Sequence, residues 1–169
     1  LLISGSLNKI TEKQNKDFIK TGNANVKMDI NKLFSPKSEV KKYLKYIIRR
    51  LSSPLGSERS VLLYIDPVEK ASKKIQAISR KYNIQSASIV NKVSEAIALV
   101  TKKVVEETGI RKIVVSGENV ATNVCTHLKI KGNLVLKEVQ PGIPCNLAIG
   151  PQNFLLVMKR GEFGSKNLY

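Results

Sequence analysis

The chain has 169 residues, 42% of them hydrophobic and 25% charged, which suits one globular domain with its own core. No apolar run nears the roughly 20 residues of a membrane helix, so no membrane association is expected and the setting is read as cytoplasmic. A formal net charge of +16, from 29 basic against 13 acidic residues, raises the question of an anionic partner.

The opening Leu1-Leu2-Ile3-Ser4-Gly5-Ser6 reads as a strand entering a turn. It has no Met, basic leader or small-residue cleavage site, so it does not read as a signal peptide. A start in mid-strand implies a domain cut from a longer polypeptide. Thr11 with Gln14 three residues on reads as a capping box for a helix ending near Thr21-Gly22. Val26 to Ile30 alternates like a half-buried strand. Val40, Tyr43, Leu44, Ile47, Ile48 and Leu51 define a strongly amphipathic helix, with Lys41, Lys42, Lys45, Arg49 and Arg50 as its wet face. Ser52 to Ser57 is expected to be a loop. Val61 to Ile65 is a continuous apolar run, as expected of a parallel strand covered on both faces. Ala71, Ile75, Ile78 and Tyr82 mark the inner side of a second helix. Ile89, Val93, Ala96, Ile97, Val100 and Val104 mark a third, ending at Thr108-Gly109. Lys112 to Val115 is a β-branched strand broken by Ser116-Gly117, and a helix follows from Ala121 to Leu128. Leu134–Leu136, Leu147–Ile149 and Phe154–Met158 are short strands with no helix between them. The fold class is therefore α/β: a mostly parallel sheet flanked by helices, with a C-terminal strand meander, in a single domain.

Cys125 and Cys145 show no CxxC spacing and read as ordinary buried thiols of a reducing compartment. His127 is the sole histidine, so neither a metal centre nor a catalytic triad is expected. Nucleic acid is not favoured as a partner, because lysine dominates the charge excess and the basic residues are spread along every helix. The five Tyr and four Phe do not alternate with them.

Three glycine turns each follow a strand: Ser4-Gly5-Ser6, Ser116-Gly117-Glu118-Asn119, and Lys159-Arg160-Gly161-Glu162-Phe163-Gly164. A fourth, Pro141-Gly142-Ile143-Pro144, links strands of the meander. A strand that ends in glycine and feeds a helix aims free N–H groups at one point, where an anion can sit. If the first three strands are parallel neighbours, their turns converge on one edge of the sheet. Ser6 and Asn119 can then donate hydrogen bonds and Lys159 can supply positive charge. Neither a Walker loop nor a GxGxxG is present.

These four turns, in this order over the whole chain, resemble the C-terminal nucleotide-binding domain of the four-carbon acid sugar kinases. That family carries Gly-Ser-x-Ser-Pro-x-Thr, Gly-Gly-Glu/Asp-Thr, Pro-Gly-Val-Pro and Lys-Ser-Gly-x-Phe-Gly. The matching segments here are Gly5 to Thr11, Ser116 to Asn119, Pro141 to Pro144 and Lys159 to Gly164. The resemblance implies a two-domain kinase that uses ATP and Mg²⁺. Its N-terminal domain would bind a four-carbon sugar acid of the threonate or erythronate type and supply the catalytic base; residues 1–169 would hold the nucleotide. By matching position, Ser6, Gly117, Glu118, Gly161 and Gly164 would contact the nucleotide with Lys159 nearby, and Asn119 and Gly142 complete the expected set. No catalytic residue is assigned, and the piece alone is expected to be inactive. The chain departs from the motifs at Ser116, Asn119, Asn8-Lys9 and Arg160, and the segment from Ser116 to Leu128 is one residue longer than is usual. The alternative is a non-enzymatic basic module that binds nucleic acid or another polyanion.

Overall fold

Short β-branched and leucine-rich runs supply the strands, and i, i+4 apolar series supply the helices that cover them. The computed structural model describes residues 1–169. In chain order the elements are β1 (Leu2–Ser4), α1 (Lys9–Lys20), β2 (Ala24–Lys27), a 3-10 turn (Ile30–Phe34), α2 (Lys37–Gly56), β3 (Val61–Tyr64), α3 (Val68–Tyr82) and α4 (Ser86–Thr108). Then follow β4 (Lys112–Ser116), α5 (Glu118–His127), β5 (Gly132–Gln140), β6 (Ile143–Ile149) and β7 (Phe154–Lys159). The seven strands form one sheet in the order β2-β3-β1-β4-β7-β6-β5. The β2, β3, β1, β4 and β7 strands run parallel, while β6 pairs antiparallel with β7 and β5 with β6. The α/β class and the terminal meander are as the sequence implies, and β7 turns the meander back into the parallel part of the sheet.

The two faces are covered unequally. Ile3, Leu63, Ile113, Val115 and Leu156 point into the larger core with Ile47 and Leu51 of α2, Ile75 of α3, Ile97 and Val100 of α4 and Val124 of α5. On the other face α1 contributes Phe18, which packs with Leu2 and Leu62. Alternate residues of β1 and β3 thus feed different cores, the period of two expected of strands. That is why Val61–Ile65 reads as an unbroken apolar run.

Several local expectations are corrected. Thr11 and Gln14 form no capping box: Asn8 is the N-cap, its side chain accepting from the Ile10 N–H at 2.8 Å, and Thr11 and Gln14 are fully buried inside α1. Residues 28–30 leave the strand although Val26, Met28 and Ile30 keep the alternating burial: β2 ends at Lys27, and Asp29 caps the 3-10 turn that follows, its side chain accepting from the Asn31 N–H. Ser52 to Gly56 is helix, not loop. Leu55 completes the buried series Ile47, Leu51, Leu55, and Pro54 lies only in the last turn, where its missing N–H leaves a single carbonyl unpaired. Helix α5 begins at Glu118, three residues before the expected Ala121. Tyr82 is 44% exposed rather than inward-facing. His127 is a satisfied residue, as its isolation implies, its Nε2 2.7 Å from Glu95 Oε1, and both cysteines are free thiols as expected, though half-buried rather than buried.

One buried charge ties the outer strands to α3. The Asp66 carboxylate, just beyond β3, is wholly enclosed; Lys74 Nζ lies 2.6 Å from its Oδ2 and 2.6 Å from Asp29 Oδ1. Burial opposes charge on Lys74, but the two carboxylates outweigh it and hold the ammonium above the usual lysine range. Lys27 and Lys70 are more distant partners of Asp66, at 3.4 and 3.9 Å. Removing the near cation leaves an enclosed carboxylate poorly compensated, so Lys74→Met is expected to lower stability by about 3 kcal/mol in urea unfolding.

Candidate functional site

Because β1, β4 and β7 are adjacent and parallel, the loops that leave them meet at one edge of the sheet. The Gly5 N–H donates to Ser116 O and the Gly117 N–H donates to Lys159 O, each at 3.1 Å, so the strand ladder continues into the turns. Two glycines make this approach possible. Gly117 has φ 108° and a Cβ there would lie 3.0 Å from Ser6 N. A Cβ on Gly161 would collide with Ser6 Oγ and stand 2.8 Å from Asn8 Cβ. Only residues without a side chain let three backbones come this close.

The loops surround a cavity of about 350 Å³. Gly5, Ser6, Leu7 and Asn8 line it from the first loop, Gly117, Glu118, Asn119 and Val120 from the second, and Arg160, Gly161 and Glu162 from the third. Its floor is apolar: Ile30, Ile65, Ile75, Val90 and Val93, with Ser94 among them. Helix α5 starts here with no side-chain cap. The N–H groups of its first turn lack intrahelical acceptors and face the cavity with the positive end of the helix dipole. A pocket with an apolar floor and an N–H-rich rim suits an aromatic base joined to phosphates.

Five of the eight expected site residues line this space: Ser6, Gly117, Glu118, Asn119 and Gly161. The other three lie elsewhere. Gly142, with φ 76°, is the β5–β6 hairpin turn against the Phe163 ring, and Gly164 packs by Leu168, Gln14 and Ile143. Lys159 is only 4% exposed and turns away from the cavity. Its ammonium donates to the carbonyl oxygens of Arg160 and Phe163, each at 3.2 Å, and to Thr11 Oγ1 at 3.1 Å. A longer contact of 3.5 Å reaches Gly161 O.

Thr11 is the other half of this knot. Its hydroxyl donates to Gly161 O at 2.8 Å and lies 3.1 Å from Ser116 Oγ. Gln14 Nε2 donates to Phe163 O and Ser165 O, and Asn15 Nδ2 to Ser4 Oγ. One polar side of α1 therefore holds the ends of β1, β4 and β7 and the loop after β7. Sequence reading missed this role, as it missed Asn8, the apolar floor and Ser94. A buried serine amid the apolar stripe of α4 was the available signal for Ser94.

The positive charge at the cavity mouth belongs to Arg160. Its Nε lies 2.7 Å from Glu118 Oε1 and 3.3 Å from Glu162 Oε1, with the Arg160 and Glu118 side chains about two-thirds exposed. Exposed pairs of this kind contribute little stability, so an incoming anion can separate them.

A parallel sheet with glycine loops and an uncapped helix converging on a half-apolar cavity defines a nucleotide-binding α/β domain. The chain belongs to the nucleotide-binding C-terminal domain family of the four-carbon acid sugar kinases, which matches residues 1–168. It is 23% identical over 167 residues to a D-threonate kinase of Salmonella typhimurium, covering 98% of this chain and 39% of that protein. Solved structures share the fold. A Bordetella bronchiseptica protein with bound citrate, described as a domain-swapped dimer, superposes with a TM-score of 0.76 at 15% identity. A Haemophilus influenzae protein does so with 0.72 at 18%; each covers 99% of this chain and 38% of its own. The chain thus spans about two-fifths of the length of these relatives.

Burial pushes the Lys159 ammonium down to about 8, against the pull of the Glu162 carboxylate. The sign follows from linkage. Between about pH 8 and 10.5 the unfolded chain holds a proton that the folded one has released. The desolvation penalty is therefore present in full below 8 and is relieved through that window. A lysine-selective ¹³C NMR titration is expected to show one resonance moving near pH 8, and Lys159→Met is expected to remove it.

Proposed function

We propose that this domain binds ATP with Mg²⁺ and presents its γ-phosphate for transfer to a hydroxyl of a four-carbon sugar acid of the threonate or erythronate type. That acid would be held by a separate N-terminal domain of the same polypeptide. The observation that carries the reading is the meeting of three glycine loops and the uncapped α5 around one cavity. In this reading the base lies on Ile30, Ile65, Ile75, Val90 and Val93. The phosphates meet the N–H groups of Ser6, Glu118 and Asn119 and the loop at Gly161. Kinship with a D-threonate kinase supports the choice of acceptor.

No group of three or more metal-ligating side chains gathers in the structure. That fits a Mg²⁺ held mainly by nucleotide phosphates, with Glu118 or Glu162 reached through water. The ion would neutralise charge on the transferring phosphoryl group. This chain's own contribution is to fix the nucleotide, exclude water from the base and place Arg160 beside the phosphates, since phosphoryl transfer is chiefly positioning and charge neutralisation. The general base would come from the other domain. Two free thiols support a reducing, cytoplasmic setting.

Isothermal titration of the chain with Mg-ATP is expected to give saturable binding in the range of ~1 μM to 1 mM. Gly161→Ala, which puts a methyl group into Ser6 and Asn8, is expected to weaken it at least tenfold, about 1.4 kcal/mol. Absence of binding by the folded protein would overturn the reading. Alone, with ATP and D-threonate, the chain is expected to form no phosphorylated acid.

A further inference from the structure

Six of the basic residues are arginines, and the fold gathers three of them, Arg49, Arg50 and Arg59, around one groove of about 730 Å³. Tyr46, 54% exposed, stands in the same groove beside Asn25 and Ser53. No carboxylate lines it. None of the protein's ion pairs uses these three guanidinium groups. The groove lies where α2 ends and β2 and β3 begin, so it occupies the opposite edge of the sheet from the nucleotide cavity. β2 is an edge strand, and its outward backbone groups have no partner strand.

We propose that this groove binds a single-stranded nucleic acid. Guanidinium groups match phosphate oxygens in a planar, two-point way that lysine does not, and these three have no internal carboxylate to leave. An exposed tyrosine among phosphate-binding cations gives a base a ring to stack on. A bilayer is the poorer match. The apolar side of α2, at Ile47, Leu51 and Leu55, is buried in the core and has nothing to insert, and a concave groove does not suit a flat surface. The site is independent of the ATP reading.

Fluorescence anisotropy with labelled oligo-uridylate and oligo-thymidylate of about 15 nucleotides tests it. Binding is expected to weaken with salt at a slope of about −2 in log K against log salt, for three phosphates on a single strand. Replacing Arg49, Arg50 and Arg59 together by Ala is expected to lower affinity at least tenfold and remove most of the slope. Tyr46→Ala is expected to lower affinity about tenfold with the slope unchanged, an effect that charge alone cannot produce. Replacing the exposed Lys13, Lys73 and Lys137 by Ala removes the same charge elsewhere and is expected to leave affinity within about twofold. Mg-ATP is expected not to compete. All the substituted side chains are exposed, and circular dichroism checks the fold of each variant. The proposal is overturned if no oligonucleotide binds, if the lysine control weakens binding as much as the arginine variant, or if Tyr46→Ala has no effect. Equal capture of polyglutamate or of anionic vesicles would overturn it as well.

Discussion

Everything at the functional edge depends on a buried knot of oxygen atoms around Lys159. Loops that leave a sheet lose the regular ladder, and their carbonyls need donors if they are to be buried. Here the Arg160 and Phe163 carbonyls point inward and receive the Lys159 ammonium, while the Thr11 hydroxyl serves Gly161 O. An ammonium so enclosed is costly; the acceptors around this one offset part of the cost, and the rest shows as its lowered pKa. The knot therefore does two jobs at once. It satisfies the backbone of a loop that has no secondary structure, and it fixes Gly161 against Ser6 before any ligand arrives. A cradle already formed spends less of the ligand's binding energy on ordering.

That arrangement divides the two cations of the last loop by role. Lys159 extends β7 on the α1 side of the sheet, where Thr11 waits, and has no path to the cavity. Arg160, one residue on, falls on the cavity side and is bridged to Glu118 and Glu162. The kinase motif that this segment resembles has serine at that place, so the exposed cation at the mouth is a feature of this chain. Its carboxylate partners temper the field of the α5 N-terminus when no anion is bound, since Glu118 stands in the first turn of that helix. In the proposed ATP complex, competition between Glu118 and a phosphate for Arg160 would be part of the affinity.

How much could be read in advance depended on the range of the interactions. Strands such as Val61–Tyr64 and helices such as α4 follow from local periodicity, and the three turns that meet are marked by their glycines. Their convergence needed only the assumption of parallel neighbours. Thr11 and Gln14 show the limit. Four residues in the order Thr-x-x-Gln carry a local capping signature, yet their partners are Gly161, Phe163 and Ser165, about 150 positions away. Nothing within the helix distinguishes the two uses. Lys159 was legible as a cation near a glycine turn, but the side of the sheet it takes is set by strand register, which appears only once β7 pairs with β4. Ser52 to Ser57 read as a loop because the gain from burying Leu55 one turn beyond Leu51 is visible only with the core in place.

The charge of the chain illustrates the same limit. Along the sequence, basic residues look evenly scattered, and an even scatter reads as a solvated surface. Arg49 and Arg50 end one helix face, and Arg59 lies beyond the turn that follows it. The chain reversal from α2 into β3 brings them to one groove with Tyr46. Parallel topology then separates the two anion-seeking ends of the domain. Loops leaving the strands gather the glycines and free N–H groups, while the entering ends of β2 and β3 gather the arginines. A polyanion at the entering edge would sit a full strand length from the nucleotide, beyond about one Debye length at physiological salt, so neither would weaken the other's binding by direct repulsion. On the two proposals together, a single small sheet would hold two anionic ligands without conflict.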